Sequence, residues 1–166
     1  MGVTDEPDRT PTRTDDPPRR RAPHRHPGLL ALIFVGGALG TAARAALETA
    51  SPAAPAGIPW VTLAINVVGS LLLGGLLELL ARTGPDAGWR RGARLTLGTG
   101  VLGGFTTYST FAVETVQRMT PDAFVIGLAY ALGSIVLGVA AAALGYTGAR
   151  RLTAHRPPRL DSEARR

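Results

Sequence analysis

Four aliphatic hydroxyls, Thr106, Thr107, Ser109 and Thr110, sit beside the rings of Tyr108 and Phe111 in the stretch GGFTTYSTF, Gly103 to Phe111. Hydroxyls donate hydrogen bonds to an anion, and the electron-poor edge of an aromatic ring also favours one. Tyr108 and Phe111 are three residues apart and share a face on any helix that contains them. Gly100, Gly103 and Gly104 lower helix stability, and Ser and Thr compete for backbone hydrogen bonds. The stretch therefore predicts a local break near Gly103–Thr106. Such a break frees carbonyl oxygens, which are good ligands for a hard cation such as Na⁺. Glu114, one turn beyond Phe111, is the odd member. A carboxylate beside an anion path repels the ion unless it is turned away or hydrogen-bonded.

Three further groups have chemical potential. Asn66 is the one amide within otherwise apolar sequence, and Ser70 lies four residues on, on the same helical face. An unpaired amide in hydrocarbon costs several kcal/mol, so Asn66 must face protein or water. That leaves two readings, an interhelical hydrogen bond or a pore-lining donor. Tyr130, Ser134 and Gly138 form a narrow polar-to-small stripe at i, i+4 and i+8. Arg44 has Glu48 one turn on; it could snorkel to an interface, pair with Glu48, or draw anions toward a vestibule.

The elements that must carry these groups are membrane helices. The 166 residues contain no Lys, and Gly28–Ala43, Val61–Leu77, Leu95–Val113 and Ala123–Ala149 are uncharged. A bilayer core takes about 20 apolar residues per helix. Four spans fit, at about 28–47, 61–81, 94–118 and 123–149, the third broken near its middle. A soluble helical bundle is disfavoured because its helices would need polar faces. Gly36, Gly40 and Ala43 recur at about helical spacing in the first span and invite close helix packing. Glu78 falls near an interface.

The flanks differ from this core. Residues 1–27 are rich in Pro, Arg, Asp and Thr and have the composition of disorder, and 150–166 form a second basic tail. Neither reads as a signal peptide, and the His24–His26 pair reads as incidental. With no Cys, disulfides and thiolate metal sites are excluded. The net charge of +6 resides in tails and loops without interleaved aromatics, which argues against nucleic acid. No phosphate-binding loop, catalytic triad or metal-hydrolase spacing is present, so neither an enzyme nor a pump is supported.

Charge also predicts orientation. Six arginines precede Gly28, four lie from Arg82 to Arg94 and six follow from Arg150, so one side of a four-span chain holds sixteen of the eighteen. Arg118 stands alone on the other side. The positive-inside rule places both termini in the cytoplasm, here of a multi-pass plasma-membrane protein.

GGALGTAAR (36–44), TLAINVVGSLLLG (62–74) and GVLGGFTTYSTFAVE (100–114) resemble the signature blocks of the small bacterial fluoride channels, the Fluc or CrcB family. The resemblance covers about residues 28–149, a single membrane channel domain, and leaves both tails outside. It implies an all-α integral membrane protein of four helices that assembles as an antiparallel dimer. Two fluoride pores would run along the interface, with one structural Na⁺ at the centre that is not transported. By position, the carbonyls of Gly103 and Thr106 would hold the Na⁺. Asn66 and Phe111 would be pore residues, with Ser109 and Thr110 in a polar track faced by Tyr130 and Ser134. Glu114 matches an acidic residue found there in relatives.

Two positions depart from the family pattern: Tyr108 stands where the first pore phenylalanine is usual, and Ala45 where an aromatic is common. The arginine bias is a third departure. An antiparallel homodimer needs near-balanced loop charge, so the bias predicts one-way insertion and pairing with an oppositely oriented homologue, a two-subunit form the family includes. The implied function is passive export of cytoplasmic fluoride, lowering its toxicity. One alternative is a degenerate or auxiliary subunit of such a channel. A small drug or cation exchanger is disfavoured because its proton-coupling carboxylate would lie deep in the first span.

Overall fold

The computed structural model describes residues 27–51 and 57–154, all of them helix or short connection. The expected disorder of residues 1–26, the His24–His26 pair and the basic tail from residue 155 lie outside the described residues. In chain order the elements are α1 (Pro27–Ala50), α2 (Trp60–Arg82), α3 (Gly88–Ala93), a π-helical segment (Arg94–Leu102), α4 (Gly103–Phe105), α5 (Tyr108–Gln117) and α6 (Phe124–Ala154). Helix α6 thus continues into the first residues assigned to the basic tail.

Local chemistry sets the helix ends. Pro27 opens α1, where a missing N–H costs nothing, and Pro59 precedes α2 with φ −77°. At the other end of α2, Thr83 Oγ1 donates to the Leu80 carbonyl at 2.8 Å. Gly84 then adopts φ +128°, which a side chain would resist. The turn is fastened by Asp86, whose two carboxylate oxygens accept from Arg94 at 3.2 and 2.7 Å. Those bonds hold the Asp86 carboxyl below its usual range and keep it ionised.

From Gly88 to Phe105 the third segment is one rod of helix, with a wide π-helical centre. π-helical turns are rare and recur at functional sites. The break comes at Thr106 (ψ 156°) and Thr107 (φ −143°, ψ 123°), both extended. It lies at the downstream edge of the interval the sequence predicted. Gly103 and Gly104 stay helical, and packing explains Gly104. A Cβ there would collide with the Gly37 carbonyl of α1, so two backbones meet where side chains do not fit. Similar meetings join α1 to the π segment, where a Cβ on Gly36 would lie 2.6 Å from the Thr96 carbonyl oxygen. Helix α2 lies along α6, with Gly145 against the Leu71 carbonyl.

Helices α1, α2 and α6 are each long and apolar enough to cross a membrane. Their outer faces are apolar too: Phe34 is 77% exposed and Val125 78%. A water-facing surface rarely carries so much exposed hydrocarbon. Between these helices runs the broken rod, which packs on α1 through the π segment and α4, and on α6 through α5.

Candidate functional site

The break at Thr106–Thr107 strips the helix of hydrogen bonds that water would satisfy elsewhere and hydrocarbon does not. Asn66 of α2 closes part of the gap. Its Nδ2 donates to the Thr107 carbonyl at 3.0 Å, and its Oδ1 accepts from the Thr107 N–H at 2.9 Å. One side-chain amide thus pairs both backbone groups of one residue. Gly69, one turn along α2, makes room, since a Cβ there would strike the Thr106 methyl. Thr107 caps α5 in turn, its Oγ1 accepting from the Thr110 N–H at 3.0 Å. Hydroxyl contacts to Ser109 (3.2 Å) and Thr110 (3.1 Å) complete a small cluster around that cap.

Beside the break lies an open groove of about 430 Å³. Asn66 and Ser70 of α2, Tyr108 and Phe111 of α5, and Ser134 and Gly138 of α6 contribute to its lining. Asn66 therefore makes an interhelical hydrogen bond and also borders the groove. One amide proton is committed to Thr107, and the second is left over at the groove. Ser134 Oγ is buried at the groove wall, where it makes no close hydrogen bond among the described residues. Three rings run inward from the opening. Tyr108 is 81% exposed, its centroid is 6.1 Å from that of Phe111, and Phe111 is 5.5 Å from Tyr130. Both pairs are tilted, at 45° and 49°, so ring edges as well as faces are presented.

Tyr130 leads to the carboxylate that looked out of place. Its hydroxyl donates to Glu114 Oε2 at 2.8 Å, and Thr62 Oγ1 donates to Oε1 at 2.9 Å. Glu114 is therefore held on both oxygens by hydroxyls from α6 and α2, and α5 is tied to both helices. Next along, Arg118 is buried, with Nε donating to the Gly57 carbonyl at 2.7 Å and Nη1 to the Glu114 carbonyl at 2.8 Å. A second cavity of about 170 Å³ opens here, bordered by Glu48, Thr62, Thr110 and Glu114.

Arg44 combines two roles. Its Nη1 bonds Glu48 at 3.2 Å, as the spacing suggested, while Nε donates to the Gly104 carbonyl at 3.3 Å. Thr41 Oγ1 reaches the same carbonyl at 3.4 Å. α1 thereby supplies donors to a carbonyl just ahead of the break.

The predicted positions thus fall into three places. Asn66, Tyr108, Phe111 and Ser134 share the groove; Thr110 and Tyr130 lie toward Glu114, with Ser109 exposed beside the cap; Arg44 serves the backbone of α4. Thr62, Thr41, Thr107 as a cap, and the clasp of Arg118 were not singled out from sequence. A signal existed for Thr62, which precedes Asn66 by four residues and Ser70 by eight on one face of α2.

Gly103 and Thr106 satisfy a condition for holding a cation. Among the described residues, no side-chain or turn donor is bonded to either carbonyl, whereas Leu102, Gly104 and Thr107 all have donors. Gly103 is also exposed. Two carbonyls without side-chain or turn donors, on one short turn, would suit a hard monovalent ion that completes its shell elsewhere. No cluster of three or more His, Asp or Glu competes for a metal among the described residues.

Residues 31–146 match the family described as CrcB-like protein, Camphor Resistance (CrcB). The chain is 51% identical over 114 residues to fluoride-specific ion channel FluC 1 of Cutibacterium acnes, covering 69% of this chain and 80% of that one. It is 53% identical over 118 residues to FluC 2 of Leifsonia xyli, covering 71% and 81%. With FluC 1 of Mycobacterium tuberculosis the identity is 41% over 127 residues, covering 76% and 94%.

Proposed function

Since this chain belongs to the CrcB-like family, we propose that it is a fluoride-specific channel whose ion path follows the groove beside the broken third segment. It is a multi-pass membrane protein of helices, and fluoride is its permeant ion. The observation that carries the path assignment is the groove itself. Hydrogen-bond donors and aromatic rings converge there, and no charged side chain among the described residues lines it.

Fluoride holds water tightly, so a selective path must offer replacement donors before the ion will enter. Ser134 Oγ, the spare amide proton of Asn66 and the Tyr108 hydroxyl are such donors, and ring edges extend them inward. Without a fixed cation the ion is not trapped, which suits conduction. Glu114 does not stand as a bare charge beside the path, because Thr62 and Tyr130 occupy its oxygens. Export is passive: fluoride enters cells as neutral HF, ionises in the cytoplasm, and leaves down its gradient.

The assembly follows from the same reading. The broken rod is the third of four spans, and two subunits meet antiparallel, with two pores at their interface. The Gly103 and Thr106 carbonyls of each subunit would hold one Na⁺ at the centre. That ion would neutralise carbonyl dipoles and fix the breaks against each other. Their lack of other donors supports this. The Tyr108 hydroxyl, so exposed at the opening, favours slower passage than a phenylalanine there, and its extreme is the auxiliary, non-conducting subunit.

The arginine bias supports one-way insertion in the plasma membrane, both termini cytoplasmic, with an oppositely oriented homologue as partner. Tags at each end of this chain, expressed alone, should be reached by membrane-impermeant reagents from the cytoplasmic side only; labelling from both sides would refute one-way insertion. The function is tested in bacteria stripped of their own fluoride export. Expression of this chain with its homologue restores growth in fluoride, and failure to do so with both chains present in the membrane would count against it.

A further inference from the structure

We propose that the turn between α2 and the π segment binds the phosphate of an anionic phospholipid, through a cationic site built on Arg90 and Arg91. The inference does not depend on which ion the groove conducts. Four arginines surround this turn, and two have carboxylate partners: Arg82 pairs with Glu78, and Arg94 with Asp86. Arg90 has none among the described residues, and Arg91 only shares the field of Asp86 with Arg94, so four guanidinium charges face two carboxylates and two remain in excess.

Arg90 is held in place. Its Nε donates to the Pro85 carbonyl at 2.8 Å and its Nη1 to the Thr83 carbonyl at 3.2 Å, leaving Nη2 uncommitted. The guanidinium lies over Gly84, where a Cβ would meet its carbon at 3.1 Å, and 5.7 Å from the Trp89 ring centre. Arg91 uses one nitrogen, Nη2, on the Asp86 carbonyl at 2.9 Å. A fixed guanidinium with a free edge is the geometry that takes a phosphate oxygen without further ordering.

The surroundings point to a lipid as the source of that phosphate. A cavity of about 300 Å³ opens between Arg90, Arg94 and Asp86, with Leu80 and Ala81 at the end of α2 forming its apolar side. Helix α2 is long enough to end at the headgroup level, and Trp89 is 65% exposed beside it. Tryptophan concentrates at that level because its ring is apolar and its N–H is polar. Free phosphate would gain nothing from Leu80, Ala81 or Trp89, whereas a phospholipid sets its phosphate on the arginines and its chains along them.

The chain has two tryptophans, and Trp60 lies at the opposite end of α2, so Trp60→Phe leaves Trp89 as a single reporter. The full-length W60F protein is reconstituted in vesicles containing brominated phosphatidylglycerol or, at equal mole fraction, brominated phosphatidylcholine. Trp89 should be quenched several-fold more strongly by the anionic lipid. Each arginine near an anionic surface contributes roughly fivefold in affinity, so removing both in R90Q/R91Q should abolish the preference. Equal quenching by the two lipids, or a preference that survives R90Q/R91Q, would overturn the proposal. Inorganic phosphate added to phosphatidylglycerol vesicles at constant ionic strength should leave the quenching unchanged; relief by phosphate would assign the site to a soluble anion instead.

Discussion

Replacing Asn66 with leucine lowers fluoride efflux at least ~100-fold, which corresponds to a barrier higher by about 3 kcal/mol. The loss has two sources. Leucine gives the Thr107 N–H and carbonyl no partner, and each unpaired group within a membrane costs on the order of a few kcal/mol. The extended residue then loses its reason to stay extended, and Tyr108, which follows it directly, and Phe111, one turn on, lose their placement. Leucine also removes the spare amide proton from the groove. Efflux from N66L protein reconstituted with its oppositely oriented homologue, with chloride leak as the control, measures the rate, and thermal unfolding in detergent measures the lost clasp. Wild-type efflux from N66L would show that neither the clasp nor the donor matters to passage.

The second large effect falls on stability. Glu114→Leu leaves the Thr62 and Tyr130 hydroxyls without their acceptor, and these residues are only 2% and 3% exposed. At about 1–3 kcal/mol for each buried group left unpaired, the variant should lose roughly 2–6 kcal/mol. Glu114→Gln behaves differently. Its carbonyl oxygen accepts one hydroxyl and its amide donates to the other, which turns to receive it, so the loss should stay within about 1 kcal/mol. The comparison separates the hydrogen bonds from the charge. Equal destabilisation of E114L and E114Q in unfolding curves would mean that the negative charge, through Arg118 or otherwise, holds this corner together.

These two residues also show how far the sequence is legible. Three of the four uncharged stretches place the long helices within a few residues, because hydrocarbon demands length and apolarity and little else, while the fourth, Leu95–Val113, falls on the broken rod. The break is legible in kind, since glycines and hydroxyl residues destabilise a buried helix. Its position is not, because Gly103 and Gly104 carry the same local signal as Thr106. Close contact of Gly104 with Gly37 of α1 decides there, and that is tertiary information. Asn66 stands out in composition alone, yet that its amide pairs both groups of Thr107 depends on how α2 is set against the break. Glu114 looked like an obstacle because its partners, Thr62 and Tyr130, lie 52 and 16 residues away. Arg44 is half legible: the pairing with Glu48 is written in the i, i+4 spacing, and the bond to Gly104, sixty residues distant, is not.

Fluoride efflux from liposomes tests the central claim most directly, read with a fluoride electrode and set against chloride efflux from the same vesicles. Purified chain would be reconstituted alone and together with an oppositely biased homologue. The account predicts fluoride efflux with negligible chloride efflux when both subunits are present, and none from this chain alone. Fluoride-selective efflux from this chain alone would retain the channel but contradict one-way insertion. Absence of fluoride efflux from the folded pair would contradict the claim that the groove beside Thr107 conducts the ion.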